Sequence, residues 1–159
     1  MKKQERTFPI FQIVLGLFIL SGAVLLFLPQ LLDSSVKARQ SEAKQTLGVL
    51  SRGQQANYFE NQTFADDFAT LALGIDEETD NYRYSIENHS DHVFHFAEAK
   101  KDGIRYYIGA VFKVEDVEIP VAVLCQLEIQ ENIPNFSLSN FLPSLENNTP
   151  ICHPDTTSL

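Results

Sequence analysis

Basic residues are scarce in this sequence: its 159 residues include 12 Lys and Arg against 21 Asp and Glu, which gives a formal net charge of −9. Proteins that bind nucleic acids need basic groups to displace counterions from phosphates, so this balance argues against a nucleic-acid partner. It also argues against a chain that lies on an anionic lipid surface. The length is that of one domain.

Motifs that carry common enzyme chemistry are also missing. The sequence contains no G-x-S-x-G nucleophile motif, no P-loop and no glycine-rich dinucleotide fingerprint. Its adjacent acids Asp66 and Asp67 would diverge by about 100° on a helix, so they suit a first helical turn better than paired catalysis. We predict that the protein is not an enzyme and has no cofactor, with a membrane-bound hydrolase or metalloenzyme as the least favoured alternative.

Charge is absent between Ile10 and Leu28, where 14 of 19 residues are Ile, Leu, Val or Phe. These side chains favour insertion into a bilayer by about 4 to 8 kcal/mol. The whole apolar stretch, residues 8–32, would be about 37 Å long as a helix, against a hydrocarbon core of about 30 Å. We predict a retained transmembrane helix. A removable secretory signal is the alternative, but its apolar region would be shorter and would end at a small-x-small site.

The charges that flank this stretch predict its orientation. Lys2, Lys3 and Arg6 precede it, and the first charge that follows it is Asp33. The positive-inside rule therefore places residues 1–7 in the cytoplasm and residues 33–159 outside, in the periplasm or the extracellular space. The expected location is the inner (plasma) membrane, crossed once.

A second helical pattern follows the apolar stretch without a linker. From Ser34 to Asn57, apolar residues recur at helical spacing and form a narrow stripe on a polar helix. This stripe consists of Val36, Ala43, Leu50 and Asn57, spaced seven residues apart, with Leu47 beside them. A short helix is predicted from Thr63, as N-cap, to Gly74, as its stop.

Four strand-like runs come next, separated by short turns. They are Tyr82–Glu87, His92–Ala99, Ile104–Val114 and Ile119–Ile129. Consecutive strands with short turns favour an antiparallel meander, and the Asn-, Ser- and Pro-rich chain from Glu131 onward is predicted to be loop. The predicted fold class is α+β, with a long N-terminal helix packed on a four-stranded antiparallel sheet.

Several segments of this chain resemble a known family. They are Gln40-Ser-Glu-Ala-Lys-Gln45, Arg52-Gly-Gln-Gln-Ala-Asn-Tyr-Phe-Glu-Asn61, Phe64-Ala65, Leu73-Gly-Ile75 and Asn81-Tyr-Arg-Tyr-Ser-Ile86. They are similar to the type IV pilin-like proteins common in cyanobacteria, which are often grouped with the G and H pseudopilins of type II secretion. A long helix on an antiparallel sheet is the architecture of pilins.

The resemblance implies a processing and assembly route. A prepilin peptidase cuts pilins after a glycine and before a phenylalanine, and a glutamate at the fifth mature position pairs with a neighbour's amine. Here the aligned cut lies between Thr7 and Phe8, so the glycine is missing, and the fifth position is Gln12. Pro29 stands where pilins commonly carry a helix-loosening proline. Gln12 has no charge, which should weaken docking into a filament.

Cys125 and Cys152 are the only cysteines, and the predicted topology places both in a potentially oxidising compartment. A bridge between them would enclose 28 residues and contribute about 3.6 kcal/mol in the chain-entropy model. Disulfide-closed C-terminal loops also occur in the resembled pilins. The alternative is a buried free Cys125 and an incidental Cys152.

Other polar groups are weak candidates for a metal site. His92 and His95 would point to opposite faces of a strand, so with His89 they are predicted to be ordinary surface and turn histidines. The acids of the Asp76–Asp80 loop could offer oxygens to calcium, as a loop does in some G pseudopilins, but no EF-hand pattern follows. A solvated acidic loop is favoured, and no metal site is predicted.

These observations favour a minor, tip or accessory pilin-like subunit of a type IV pilus or a type II secretion pseudopilus. Its expected partners are the lipid bilayer, other pilins through the N-terminal helix, an inner-membrane assembly platform and a prepilin peptidase. Gly16 and Gly22 would permit close helix packing. The alternative is a membrane-tethered binding domain that never polymerises, which Thr7 and Gln12 favour.

Overall fold

A computed structural model of the chain describes the backbone of residues 8–115, 117–127 and 137–159, with the side chains of those ranges from residue 34 onward. The chain divides into two compact units, Met1–Ala38 and Arg39–Leu159. Helix α1 runs from Phe8 to Asn61. The predicted transmembrane stretch precedes the described side chains, and from residue 34 onward no helix is long and apolar enough to cross a membrane.

The second unit is a sheet covered on both faces. Its elements after α1 are α2 (Phe68–Leu71), β1 (Tyr82–Asn88), β2 (His92–Ala99), β3 (Tyr106–Phe112), β4 (Val121–Leu127), a 3-10 helix (Leu138–Phe141), β5 (Ser144–Glu146), β6 (Thr149–Ile151) and β7 (Thr157–Ser158). The main sheet is antiparallel in the order β1-β2-β3-β4-β7, and β5 pairs with β6 in a separate hairpin.

The predicted meander of four strands is confirmed, but the sheet has a fifth strand that the sequence did not indicate. β7 pairs with β4 at only two positions, Cys125 with Ser158 and Gln126 with Thr157. A strand of two residues is too short to show an alternating pattern, so nothing in the sequence distinguished it from loop. The α+β class and the packing of a helix on an antiparallel sheet agree with the prediction.

Helix α1 packs on one face of the sheet through the predicted stripe. Ala43, Leu47 and Leu50 have no exposed surface, and about two turns further on Tyr58 is also buried. Tyr58 belongs to an apolar cluster that includes Val93 of β2, so the C-terminal end of α1 is held on the strands. Removal of these side chains from water is the main stabilising contribution at this interface.

The C-terminal segment packs on the opposite face, which corrects the prediction that residues from Glu131 onward are loop. Leu138 of the 3-10 helix is buried in a cluster with Phe94, Phe96 and Ile108 of the sheet. Leu145 of β5 packs against the same cluster. The sheet therefore has two apolar faces. The elements that cover the second face are short and lie in a segment rich in Asn, Ser and Pro, so the sequence pattern did not indicate them.

The predicted helix over residues 63–74 is wrong in its bounds. Only Phe68–Leu71 is helical, and its N-cap is Asp67, whose side chain accepts a hydrogen bond from the N–H of Thr70 at 2.7 Å. Residues 63–67 are not helical, and the N–H and C=O of Ala65 are bonded to the side chain of Gln54 on α1. The helix ends at Ala72, in the left-handed region at φ 50°, before Gly74 is reached.

Candidate functional site

The residues predicted to carry cleavage and assembly lie outside the part of the chain whose side chains are described. Thr7 precedes the described backbone. Phe8, Gln12 and Pro29 lie within the helical backbone of α1, and nothing further is described of them. Their roles remain predictions.

The predicted disulfide between Cys125 and Cys152 is confirmed, with the two Cα atoms 5.7 Å apart. Cys125 is fully buried on β4, and Cys152 directly follows β6. The bond therefore fastens the C-terminal hairpin to the sheet that it covers. Disulfides form and persist in oxidising compartments, so the bond is consistent with a domain exposed to one.

Glutamine and asparagine side chains at the end of α1 hold the neighbouring loops. Gln54 has no exposed surface, and its amide donates to the carbonyl of Ala65 at 2.9 Å and accepts from the N–H of Ala65 at 2.8 Å. Gln55 donates to the carbonyl of Pro120 at 2.7 Å, at the start of β4. The fully buried Gln54 and the partly buried Gln55 therefore both pair with backbone groups of neighbouring loops, as buried polar groups generally do. The segment that resembles the pilin-like family thus makes contacts that fix the fold.

A carboxylate on α1 anchors the entrance to β1. Glu42 accepts hydrogen bonds from Thr79, from Asn81 at 2.7 Å and from the hydroxyl of Tyr84 at 3.4 Å. Tyr84 is buried, and this burial raises the pKa of its hydroxyl to about 12. The hydroxyl therefore stays protonated at neutral pH and can donate to the carboxylate. The cluster ties the helix to the sheet and contains no reactive pair.

His95 is a buried core residue, which corrects its prediction as a surface or turn histidine. Its ring has no exposed surface, and neither of its nitrogens has a hydrogen-bond partner within the described ranges. Burial lowers the pKa of the imidazole to about 3, so the ring is neutral at physiological pH. A Cβ built on Gly109 would lie 3.4 Å from both His95 Nδ1 and Ser51 Oγ, so the missing side chain at Gly109 makes room for this ring.

His89 and His92 stack at the β1–β2 turn, with their ring centroids 4.4 Å apart. His89 Nε2 lies 3.1 Å from a carboxylate oxygen of Glu87, and His92 Nδ1 lies 2.7 Å from Asp91. His95 lies on the other face of β2, so the three histidines do not converge. Across the described side chains, no group of three or more His, Cys, Asp or Glu residues could hold a metal ion.

The loop that was considered for calcium is held by basic side chains. Glu78 forms an ion pair with Lys100 at 2.5 Å and lies 3.9 Å from Arg83. The hydrogen bond and charge of Lys100 lower the pKa of the Glu78 carboxyl. Lys101 donates to Asn81 at 3.0 Å at the end of the same loop. These lysines compete with a cation for the loop's oxygens, which agrees with the interpretation of a surface loop.

A groove of about 540 Å³ lies between α1 and the outer edge of the sheet. One wall consists of Gly48, Ser51, Arg52 and Gln55 of α1, and the floor is the edge of β4 at residues 122–124. Thr149 and Pro150 of β6 form the opposite wall, and Ser158 and Leu159 close one end. Sequence reasoning missed this groove because its walls meet only through the C-terminal segment that was predicted to be loop.

Comparisons with known proteins give one match. Residues 40–152 match the family model described as type IV pilin-like G and H. No curated protein and no solved structure matches the chain. The matched residues begin inside α1 and end at the second cysteine of the disulfide, so they include the helix end, the four long strands and the C-terminal hairpin.

Proposed function

The chain belongs to the type IV pilin-like G and H family, and from this premise we propose that it is a non-enzymatic minor, tip or accessory subunit of a type IV pilus or a type II secretion pseudopilus. The observation that carries the proposal is the family match over residues 40–152, on a helix packed against an antiparallel sheet that a disulfide closes. The described side chains offer no convergent reactive pair, and their buried polar groups serve packing. In this proposal the function is one of anchoring and assembly, as the family match suggests.

In this proposal, residues 8–32 hold the subunit in the inner membrane and then pack against the helices of other pilins. Their mostly apolar and uncharged character suits both environments, and Gly16 and Gly22 would allow close helix approach. Residues 33–159 form the extracytoplasmic head, and residues 1–7 are the cytoplasmic leader. The prepilin peptidase and the inner-membrane assembly platform are the further partners that this route requires.

The proposal favours a minor or accessory role over that of a major pilin. Thr7 replaces the glycine before the aligned cleavage point, and Gln12 replaces the assembly glutamate. An ion pair at about 4 Å in a medium of effective dielectric 20 contributes on the order of 4 kcal/mol before desolvation, and Gln12 cannot form it. Weak docking is compatible with a subunit that is present in only a few copies per filament.

Intact mass of the chain purified from its native host tests the processing route. Loss of residues 1–7 together with an N-terminal methyl group supports entry into a filament. A full-length chain supports the second candidate, a tethered binding domain that does not polymerise, which Thr7 and Gln12 favour.

A deletion of residues 1–32 tests the anchor separately. The shortened chain should remain in the supernatant after ultracentrifugation of broken cells, whereas the full chain should sediment with membranes. Sedimentation of the shortened chain would show that the anchor is assigned to the wrong segment.

A further inference from the structure

The outer edge of β4 is only partly covered by its neighbour. β7 pairs with β4 at Cys125 and Gln126, and the N–H of Leu159 donates to the carbonyl of Leu124 at 3.0 Å. The backbone groups of alternate residues in a strand point to the same side, so the N–H and C=O of Ala122 also point outward. In the described parts of the chain, no strand pairs with this section of the edge.

This open edge forms the floor of the groove described above. Helix α1 stands on one side of the floor, and the β5–β6 hairpin stands on the other. Ala122 is exposed, and its side chain is small. The open section is short, because the next outward carbonyl, of Pro120, accepts from Gln55 at 2.7 Å. An extended chain in this slot can pair with Ala122 while its side chains contact the walls.

Among the residues that the structure describes around the groove, Arg52 has the one charged side chain. A Cβ built on Gly48 would lie 3.7 Å from Arg52 Nη1, so the guanidinium lies against the preceding turn of α1 beside the slot. Among the residues whose side chains are described, no carboxylate pairs with it, although the chain has 21 acidic residues. A planar guanidinium in this position can bind a carboxylate through two parallel hydrogen bonds.

We propose that this slot binds an extended peptide segment of a partner protein, which adds as a strand to β4 and places a carboxylate side chain on Arg52. Backbone hydrogen bonds to Ala122 supply the sequence-independent part of the affinity. Arg52 supplies the preference for an acidic residue. The inference does not rest on filament entry, since the slot lies entirely within the unit Arg39–Leu159.

Binding of a defined peptide to the full chain in non-ionic detergent micelles tests the proposal. The probe is Thr-Val-Glu-Val-Thr-amide with fluorescein attached to its N-terminal amine, and its β-branched residues favour an extended strand. Fluorescence anisotropy should give a Kd on the order of 0.1 to 1 mM, as expected for a short unconstrained peptide. The same peptide with Gln in place of Glu should bind about tenfold more weakly, because a charge-assisted pair is lost. Hydrogen exchange should slow in the segment that contains Ala122.

Three variants assign these effects to the slot. Arg52→Gln should remove the tenfold preference for the acidic peptide, whereas Arg83→Gln, a matched change of an exposed arginine on β1, should preserve it. Ala122→Pro should abolish binding of both peptides, since it removes the outward N–H while leaving the pairing of β4 with β3 in place. Circular dichroism and thermal unfolding of each variant verify that the fold is retained.

Three results would overturn the proposal. The first is no binding of either peptide at several millimolar. The second is an unchanged preference for the acidic peptide in Arg52→Gln. The third is slower exchange around Ala122 when the protein alone is concentrated, because the slot would then bind a second copy of this chain.

Discussion

Replacing His95 with leucine tests how the interface between α1 and the sheet responds to acid. His95 is fully buried, and the pKa of its ring is lowered to about 3 by burial. In the unfolded chain a histidine has a pKa of about 6.5. Between these values the unfolded chain binds a proton that the native chain does not bind, so the free energy of unfolding falls as the pH falls through this window.

The size of this effect follows from the two pKa values. At about pH 4.5, two pH units below the unfolded-state pKa, protonation of the unfolded chain lowers the free energy of unfolding by about 3 kcal/mol relative to neutral pH. His95→Leu removes this contribution and leaves the carboxylates unchanged. The wild-type chain should therefore lose about 3 kcal/mol more than the variant when the pH is lowered from about 7.5 to about 4.5.

Urea unfolding in the same detergent at both pH values measures this difference. The sequence has no tryptophan, so the signal is the emission of the buried tyrosines Tyr82, Tyr84 and Tyr107. Val93→Ala is the matched control, since it truncates a buried residue of the same strand and should lower stability equally at both pH values. Equal losses of stability on acidification in wild type and His95→Leu would show that protonation of His95 in the unfolded chain does not cause the acid sensitivity.

Three further changes test other parts of the fold. Gln54→Ala should lower the free energy of unfolding by about 2 to 4 kcal/mol, because it leaves both backbone groups of a buried residue unpaired, whereas the exposed Gln45→Ala should change it by less than about 0.5 kcal/mol. Reduction of the Cys125–Cys152 bond should lower it by about 3 to 4 kcal/mol and speed hydrogen exchange in the C-terminal hairpin before the rest of the sheet. Gly48→Ala should raise it by about 0.5 to 1 kcal/mol, since the added methyl group makes only ordinary contacts and favours the helix; a loss of stability measured by urea unfolding would contradict that expectation.

Elements with a strong local pattern could be predicted from the sequence. The strand predicted at His92–Ala99 has the observed bounds, because an apolar run there is limited by polar turns on both sides. The apolar stripe of α1 is buried as expected, since helical spacing places Ala43, Leu47 and Leu50 on one face. The disulfide could be predicted because the sequence contains only two cysteines.

Features that depend on distant contacts could not be predicted. From its position in a polar helix, Gln54 would be expected at the surface. It is buried because Ala65, eleven residues further along the chain, supplies two backbone partners. His95 lies between Phe94 and Phe96, which belong to the second core. The sequence alone does not show that both faces of this strand are covered, so the burial of His95 could not be predicted. The groove beside Arg52 requires knowledge of where the C-terminal hairpin lies.

Photo-cross-linking in the native host tests whether the N-terminal helix contacts other pilin-like subunits. A photoreactive residue in place of Leu20, in the middle of the proposed transmembrane stretch, reports which molecules touch that helix in the membrane. A subunit of a pilus or pseudopilus should give a cross-linked product with another pilin-like polypeptide, and this product should be lost when the assembly platform is removed. A chain that cross-links only to lipid, with or without the platform, would contradict the assignment as a subunit of such an assembly.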